Sequence, residues 1–350
     1  MKLEAIKRGY VNTSENIYPN DYINLARIDT EKMELAFDER TLFLTEEEKK
    51  KLNCDEIKEF SEMVIIFKLH DSWGILCNLP IKYYNEKKVL CHELVLPDVI
   101  QRMLSNFHGY NAEANPVMLT HDKHLDLENY VKNNNYDYNI KKGTIELFIY
   151  ENMKAKDILH QLDDIDMFYI ADGHHRLFTT SVYPKKENVM ACIYEMSQLK
   201  IETIPRKITN ISKEDYLKFS EKIKKRFNIV ESNKKLEKGQ IRLNYNGESL
   251  TFDLWNVDGD LFSNNDIYRL NTQVISNIFR IFKDEEIEYL SEKELEKELE
   301  LKKEGIIYIE TCPMDKQEFM NTIKNDNIMP PKSTYFSPKF PSFLVFNYFK

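Results

Sequence analysis

The stretch from Met167 to Val182 constrains the fold more than any other part of the chain. Met167-Phe168-Tyr169-Ile170-Ala171 is an unbroken apolar and aromatic run, which predicts a buried strand. It passes directly into Asp172-Gly173-His174-His175-Arg176, and Leu177–Val182 reads on as a helix, with Val189–Tyr194 a further strand. A helix that opens straight off a strand presents unpaired N–H groups and partial positive charge at its first turn, a phosphate-binding topology. Gly173 lets a phosphate approach the backbone, the histidines and Arg176 supply donors, and Asp172 can hold a metal or orient a histidine. The same five residues also read as an ordinary helix start, with Asp172 as N-cap and the histidines as plain polar residues. A zinc site on the adjacent histidine pair is strained, because neighbouring helical side chains point about 100° apart.

The rest of the chain alternates strand and helix signals. Glu62–Leu69 and Trp73–Pro80 predict a hairpin about Asp71-Ser72, with Lys82–Tyr84 continuing the second strand region. Pro97 opens a helix whose apolar residues Val99, Ile100, Met103, Leu104 and Phe107 share one face, and Gly109 stops it. Val117–Thr120 and Thr144–Tyr150 read as strands, residues 121–143 as a polar loop, and Lys156–Asp163 as a helix. Glu31–Arg40 has helical spacing, and Thr45-Glu46-Glu47-Glu48 is a helix start with acids in its first turn. Further on, Lys213–Phe227 and Ser276–Phe282 predict helices. Ile241–Tyr245 and Glu248–Leu254 form a hairpin about Asn246-Gly247, and Ser291–Lys303 is a charged surface helix. Ile306–Ile309 and Phe343–Phe346 read as strands.

Charge and composition exclude several functions. With 58 acidic against 49 basic residues the net charge is −9, a poor starting point for neutralising nucleic-acid phosphates. No apolar run approaches the length needed to span a bilayer, and the N-terminal MKLEAIKRGYVNTSEN lacks the apolar core of a signal peptide. The five cysteines, Cys54, Cys77, Cys91, Cys192 and Cys312, are scattered, which reads as reduced thiols in a cytoplasmic protein. No Walker A, dinucleotide fingerprint, zincin or nucleophile-elbow motif is present. Two other segments carry chemistry. His92-Glu93 offers a carboxylate as general base, or else an ordinary exposed acid ahead of a helix. Met329-Pro330-Pro331-Lys332-Ser333-Thr334-Tyr335-Phe336-Ser337-Pro338-Lys339 is a stiff, donor-rich segment that can close on an anion, or a plain proline-rich crossing.

Together these segments resemble a known family. Phe168–Arg176 and Met329–Lys339 resemble the two signatures of the family called domain of unknown function 1015. His92-Glu93, Pro97 and Arg102, followed by Asn115-Pro116-Val117, look like its H-E segment. Departures are the missing P-P-Y-D-V stretch in residues 1–30 and Val95 in place of threonine. That family is in turn similar to the free serine kinases of the ParB/sulfiredoxin-like fold. The resemblance implies Glu93 and Asp172 as catalytic carboxylates and Gly173, His174, His175 and Arg176 as a nucleotide-phosphate cradle. It implies His92, Lys332, Ser333 and Thr334 near the substrate. It also implies ATP or ADP as phosphate donor, with Mg2+ bridging phosphates and Asp172 as its ligand. Residues 121–165, long for a compact serine kinase, read as an insertion.

The expectation is therefore an α+β protein: an N-terminal addition over 1–61, a ParB/sulfiredoxin-like nucleotide-binding core over 62–207, an accessory lobe over 208–310, and 311–350 returning to the core to bring Lys332 near Asp172. The expected activity is phosphate transfer from ATP or ADP to the hydroxyl of a free amino acid, L-serine giving O-phosphoserine. Its partners are small molecules and nucleotide, with no membrane and no nucleic acid. The alternatives are a phosphatase acting on phosphoserine and a non-enzymatic, nucleotide-dependent binding protein.

Overall fold

The computed structural model describes residues 1–18, 25–36, 45–52, 56–232, 234–325 and 328–350. The chain divides into two compact units, Met1–Lys200 with Pro338–Lys350, and Ile201–Ser337. The boundaries anticipated at 61, 207 and 310 thus differ from these, which fall after Lys200 and after Ser337. The architecture is α+β, as expected.

The first unit is built on a twelve-stranded mixed sheet. Its N-terminal strand β1 (Ile6–Asn12) lies inside that sheet, between the C-terminal strand Val345–Tyr348 and β2 (Ile57–Leu69). The thirteen residues of β2 are long enough to take β5 (Ile145–Glu151) along one edge through Met63–Leu69 and β1 along the other through Ile57–Met63. On the same edge as β1, β2 forms the anticipated hairpin with β3 (Ser72–Pro80) through Ile65–Leu69, turning at His70-Asp71. Val64–Phe67 are fully buried, as a continuous apolar run in a sheet covered on both faces requires. Beyond β3 come β7 (Asn188–Glu195), β4 (Val117–His121) and β6 (Phe168–Asp172). β4 runs parallel to β7 and antiparallel to β6. The path from β6 through a helix into β7 therefore crosses over β4 and joins antiparallel strands.

Helix α1 spans Pro97–Gly109, with Pro97 in its first turn, Asp98 beside it, and Ile100 and Phe107 buried. α2 is Asn152–His160, starting earlier than the predicted Lys156. α3, His174–Val182, starts at the first histidine of the turn. Three expectations need correction. Lys82–Asn85 is a single helical turn, not strand, because Ile81 takes a right-handed helical conformation directly after Pro80. Residues 121–143 hold the helix Leu127–Asn133, capped by Asp126 accepting from the Asn129 N–H, and the strand Tyr138–Lys142 paired with β5. The helix expected over Glu31–Arg40 is instead a turn with a two-residue strand, Glu34–Leu35, as far as Ala36; residues 37–40 lie outside the described residues, as does Cys54. The helix at Glu46–Leu52 has the expected start, with Glu48 Oε2 accepting from the Thr45 N–H.

The second unit carries a six-stranded antiparallel sheet. Helix α4 (Lys213–Arg226) lays Tyr216 flat on Tyr245, ring centroids 4.2 Å apart. β8 (Gln240–Tyr245) and β9 (Glu248–Asp253) form the predicted hairpin, Asn246 and Gly247 both taking positive φ. In place of a helix over Ser276–Phe282, a turn at Asp266–Arg269 widens into Leu270–Phe279, wound with the looser π geometry. α5 (Glu292–Glu300) opens on a reciprocal Ser291/Glu294 cap, and β10 (Ile307–Thr311) lies inside the sheet. No helix among the described residues is long and apolar enough to cross a membrane.

Candidate active site

The turn between β6 and α3 is organised by Gly173. Its φ of +97° is left-handed, and a Cβ there would stand 3.0 Å from the Arg176 guanidinium. This conformation turns the chain from strand to helix in one residue. Gly173 itself stands at the N-cap, so no side chain caps α3 and its first N–H groups face the turn. Asp172 is thus the last residue of the strand and not the cap.

Asp172 is clamped by two cations. Lys339 Nζ donates to Oδ1 at 2.8 Å, and Arg176 Nη2 donates to Oδ2. Burial alone would raise this carboxyl's pKa, but the Arg176 and Lys339 charges outweigh it and hold the group below the ordinary carboxylate value. Arg176 Nη1 donates to the backbone carbonyls of Asn115 and Pro116, tying the turn to the segment entering β4. These Arg176 bonds all go to protein groups.

The two histidines hold the His92-Glu93 loop. The Leu96 N–H donates to His175 Nε2 at 3.0 Å, and the His92 N–H donates to His174 Nε2 at 3.4 Å. Residues 91–96 are non-helical, and Glu93 sits at a bend between these anchors. Ligand atoms of His92, Glu93 and His174 all lie within 4.8 Å of one another. The imidazoles of His92 and His174 stand perpendicular, centroids 4.4 Å apart, and are 2% and 6% exposed. Burial lowers the pKa of His92 well below its ordinary value and that of His174 to about 4, so both rings are neutral at neutral pH. Glu93 is half-buried and Leu94 and Leu96 are exposed, so the loop borders solvent.

The structure therefore brings together Glu93, Asp172, Gly173, His174, His175, Arg176 and His92. Lys332, Ser333 and Thr334 belong to the second unit. There Lys332 Nζ lies 5.7 Å from the Tyr289 ring centroid and Ser333 Oγ donates to the Pro330 carbonyl at 2.7 Å. Ser333 also lines a cavity of about 150 Å³ with Lys238, Asp266, Cys312, Asp315 and Glu318. The lysine that meets Asp172 is Lys339, seven positions beyond Lys332. Sequence reasoning passed over it, although it closes the same proline-rich segment. Mg2+ fits Asp172 poorly: each carboxylate oxygen already accepts from a cation, and a hard ion would have to displace one of them.

A family model described as "Protein of unknown function (DUF1015)" matches residues 47–307. The chain belongs to this family. No curated protein matches the chain. Among solved structures, SbnI with a C-terminal truncation from Staphylococcus aureus is similar at 11% identity and a TM-score of 0.46, covering 77% of this chain and 86% of that one. A free serine kinase variant in complex with ADP is similar at 15% identity and a TM-score of 0.42, covering 77% and 92%. A conserved hypothetical protein from Pyrococcus furiosus is similar at 14% identity and 0.41, covering 76% and 93%.

Proposed function

We propose that this family member is a small-molecule kinase. It transfers a phosphate from ATP or ADP to the hydroxyl of a free amino acid, with L-serine as acceptor and O-phosphoserine as product. The observation that carries the reading is the approach of Glu93 to the Asp172–Arg176 turn, distant in sequence, across a loop pinned by both histidines. Donor and acceptor come from the motif resemblance, and the ParB/sulfiredoxin-like core over 62–207 goes with them.

Phosphoryl transfer asks for positioning and for charge neutralisation, with little covalent work from the protein. In this reading the uncapped N-terminus of α3 faces the phosphates of the donor. Asp172 and Arg176 set the shape of that terminus, and Lys339 adds positive charge beside it. Glu93 takes the proton of the acceptor hydroxyl as its oxygen bonds to the terminal phosphorus. The bond from that phosphorus to the bridging oxygen breaks, and the electron pair leaves with the shortened nucleotide. No step requires a metal on Asp172.

The test is a panel of free amino acids with ATP or ADP, product read by mass. L-serine should yield O-phosphoserine, and Glu93→Gln should lower turnover by about 10²- to 10⁴-fold, the range of a general base. Wild-type turnover in Glu93→Gln removes Glu93 from that role. Release of inorganic phosphate from phosphoserine without nucleotide would replace the kinase by a phosphatase.

A further inference from the structure

The donor set around Glu93 does not suit the ion that the phosphate chemistry calls for. Mg2+ takes oxygen ligands in near-octahedral geometry. Here two imidazoles and one carboxylate converge, while the oxygens of neighbouring Asp172 are held by Arg176 and Lys339. We propose that His92, Glu93 and His174 form a binding site for one borderline divalent cation, best matched by Zn2+, with a coordination position left open.

Three features carry this. The first is composition: two histidines and a glutamate with an open position is a donor set of zinc centres that bind water or substrate. The second is spacing. Bonds of about 2.1 Å in a tetrahedron put ligand atoms about 3.4 Å apart. The three donors already lie within 4.8 Å of one another, so about an ångström of adjustment closes the set. Glu93 is half-buried at a bend and can make that adjustment, whereas the buried rings of His92 and His174 are fixed at right angles. The third is backbone geometry. Consecutive residues on a helix cannot easily share an ion, but His92 and Glu93 lie in the non-helical 91–96 segment, where both can face one point. His175, the helical neighbour of His174, stays out of the set and accepts from the Leu96 N–H. On binding, the 3.4 Å bond from the His92 N–H to His174 Nε2 is exchanged for an Nε2–metal bond. The ion and the acceptor hydroxyl would then compete for the Glu93 carboxylate.

The experiment uses the full chain, stripped with a chelator and titrated with Co2+ in the absence of nucleotide and amino acid. Expected is one Co2+ per chain with the strong visible absorption of four- or five-coordinate cobalt, displaced by one equivalent of Zn2+ and unaffected by excess Mg2+. Glu93→Gln, which changes a half-buried group and leaves the imidazoles in place, should weaken binding roughly tenfold or more, and His174→Ala should abolish it. His124→Ala, an exposed histidine beside Glu195, should bind as wild type. Absence of bound Co2+, a weak octahedral spectrum, or binding unchanged in Glu93→Gln overturns the site. With no phosphate donor present, such a failure leaves the kinase reading untouched.

Discussion

His121 ends β4 opposite Glu195 of β7, has no exposed surface, and neither ring nitrogen has a hydrogen-bond partner among the described residues. Burial lowers its pKa from 6.5 to about 4. An imidazole with a depressed folded-state pKa contributes stability that is complete above the unfolded value and is lost as pH falls toward the folded one. At pH 5 the unfolded ring is almost fully protonated while the folded ring is mostly neutral. The loss between pH 7 and pH 5 from this one group is about 2 kcal/mol, and it approaches 3 kcal/mol by pH 4. His92 and His174 add losses of the same sign, so the wild-type slope alone does not isolate His121. The comparison is between wild type and His121→Leu, each unfolded in urea at pH 7 and at pH 5. Whatever the substitution does at pH 7, the variant should lose about 2 kcal/mol less than wild type on going to pH 5. Equal losses in the two proteins would show that His121 is charged, or reaches water, in the folded state.

Glu113 and Lys186 form a buried pair, with Glu113 Oε2 also accepting from the Met190 N–H and Asn347 Nδ2, each at 2.9 Å. Glu113→Gln should cost about 3–5 kcal/mol in urea unfolding, and Glu113→Gln with Lys186→Met less than the two singles summed. Gly173→Ala should cost about 1–2 kcal/mol for the left-handed backbone and lower phosphate transfer, because its Cβ pushes the Arg176 guanidinium out of place; thermal unfolding and product mass read the two effects. Lys339→Met removes one of the two cations that hold down the Asp172 pKa, so that pKa should rise in a carbon-13 carboxylate titration while transfer falls, with Lys339→Arg restoring part of both.

Local chemistry was legible where it was self-sufficient. Pro97 and Gly109 bound α1, Asn246-Gly247 turns the β8–β9 hairpin, and Ser291 with Glu294 caps α5, because each signal acts within a few residues. Three residues at Lys82–Tyr84 are too few to show a period, so the helical turn there was invisible. The strand Tyr138–Lys142 hides in a polar stretch because it is an edge strand with little to bury. Leu270–Phe279 departs from the 3.6-residue period on which the helix reading rests. Lys339 was missed for another reason. A lysine's partner across 167 positions is set by where the C-terminal strand enters the sheet, and nothing near Lys339 encodes that.

The histidine pair shows how a motif can be legible while its mechanics are not. The sequence marks His174 and His175 as donors to a phosphate, yet each ring uses Nε2 to accept a backbone N–H from the 91–96 loop. A ring that accepts through Nε2 in its neutral form carries its proton on Nδ1, so only that edge remains to donate. The pair is therefore a strut before it is a cradle: it fixes the height of Glu93 over the turn. Loss of activity on replacing His175 would not by itself identify a phosphate contact, because the Leu96 anchor fails at the same time. The two roles separate in kinetics. A lost phosphate contact that acts alike in ground and transition states raises KM for nucleotide and leaves kcat, whereas a displaced Glu93 lowers kcat for every donor.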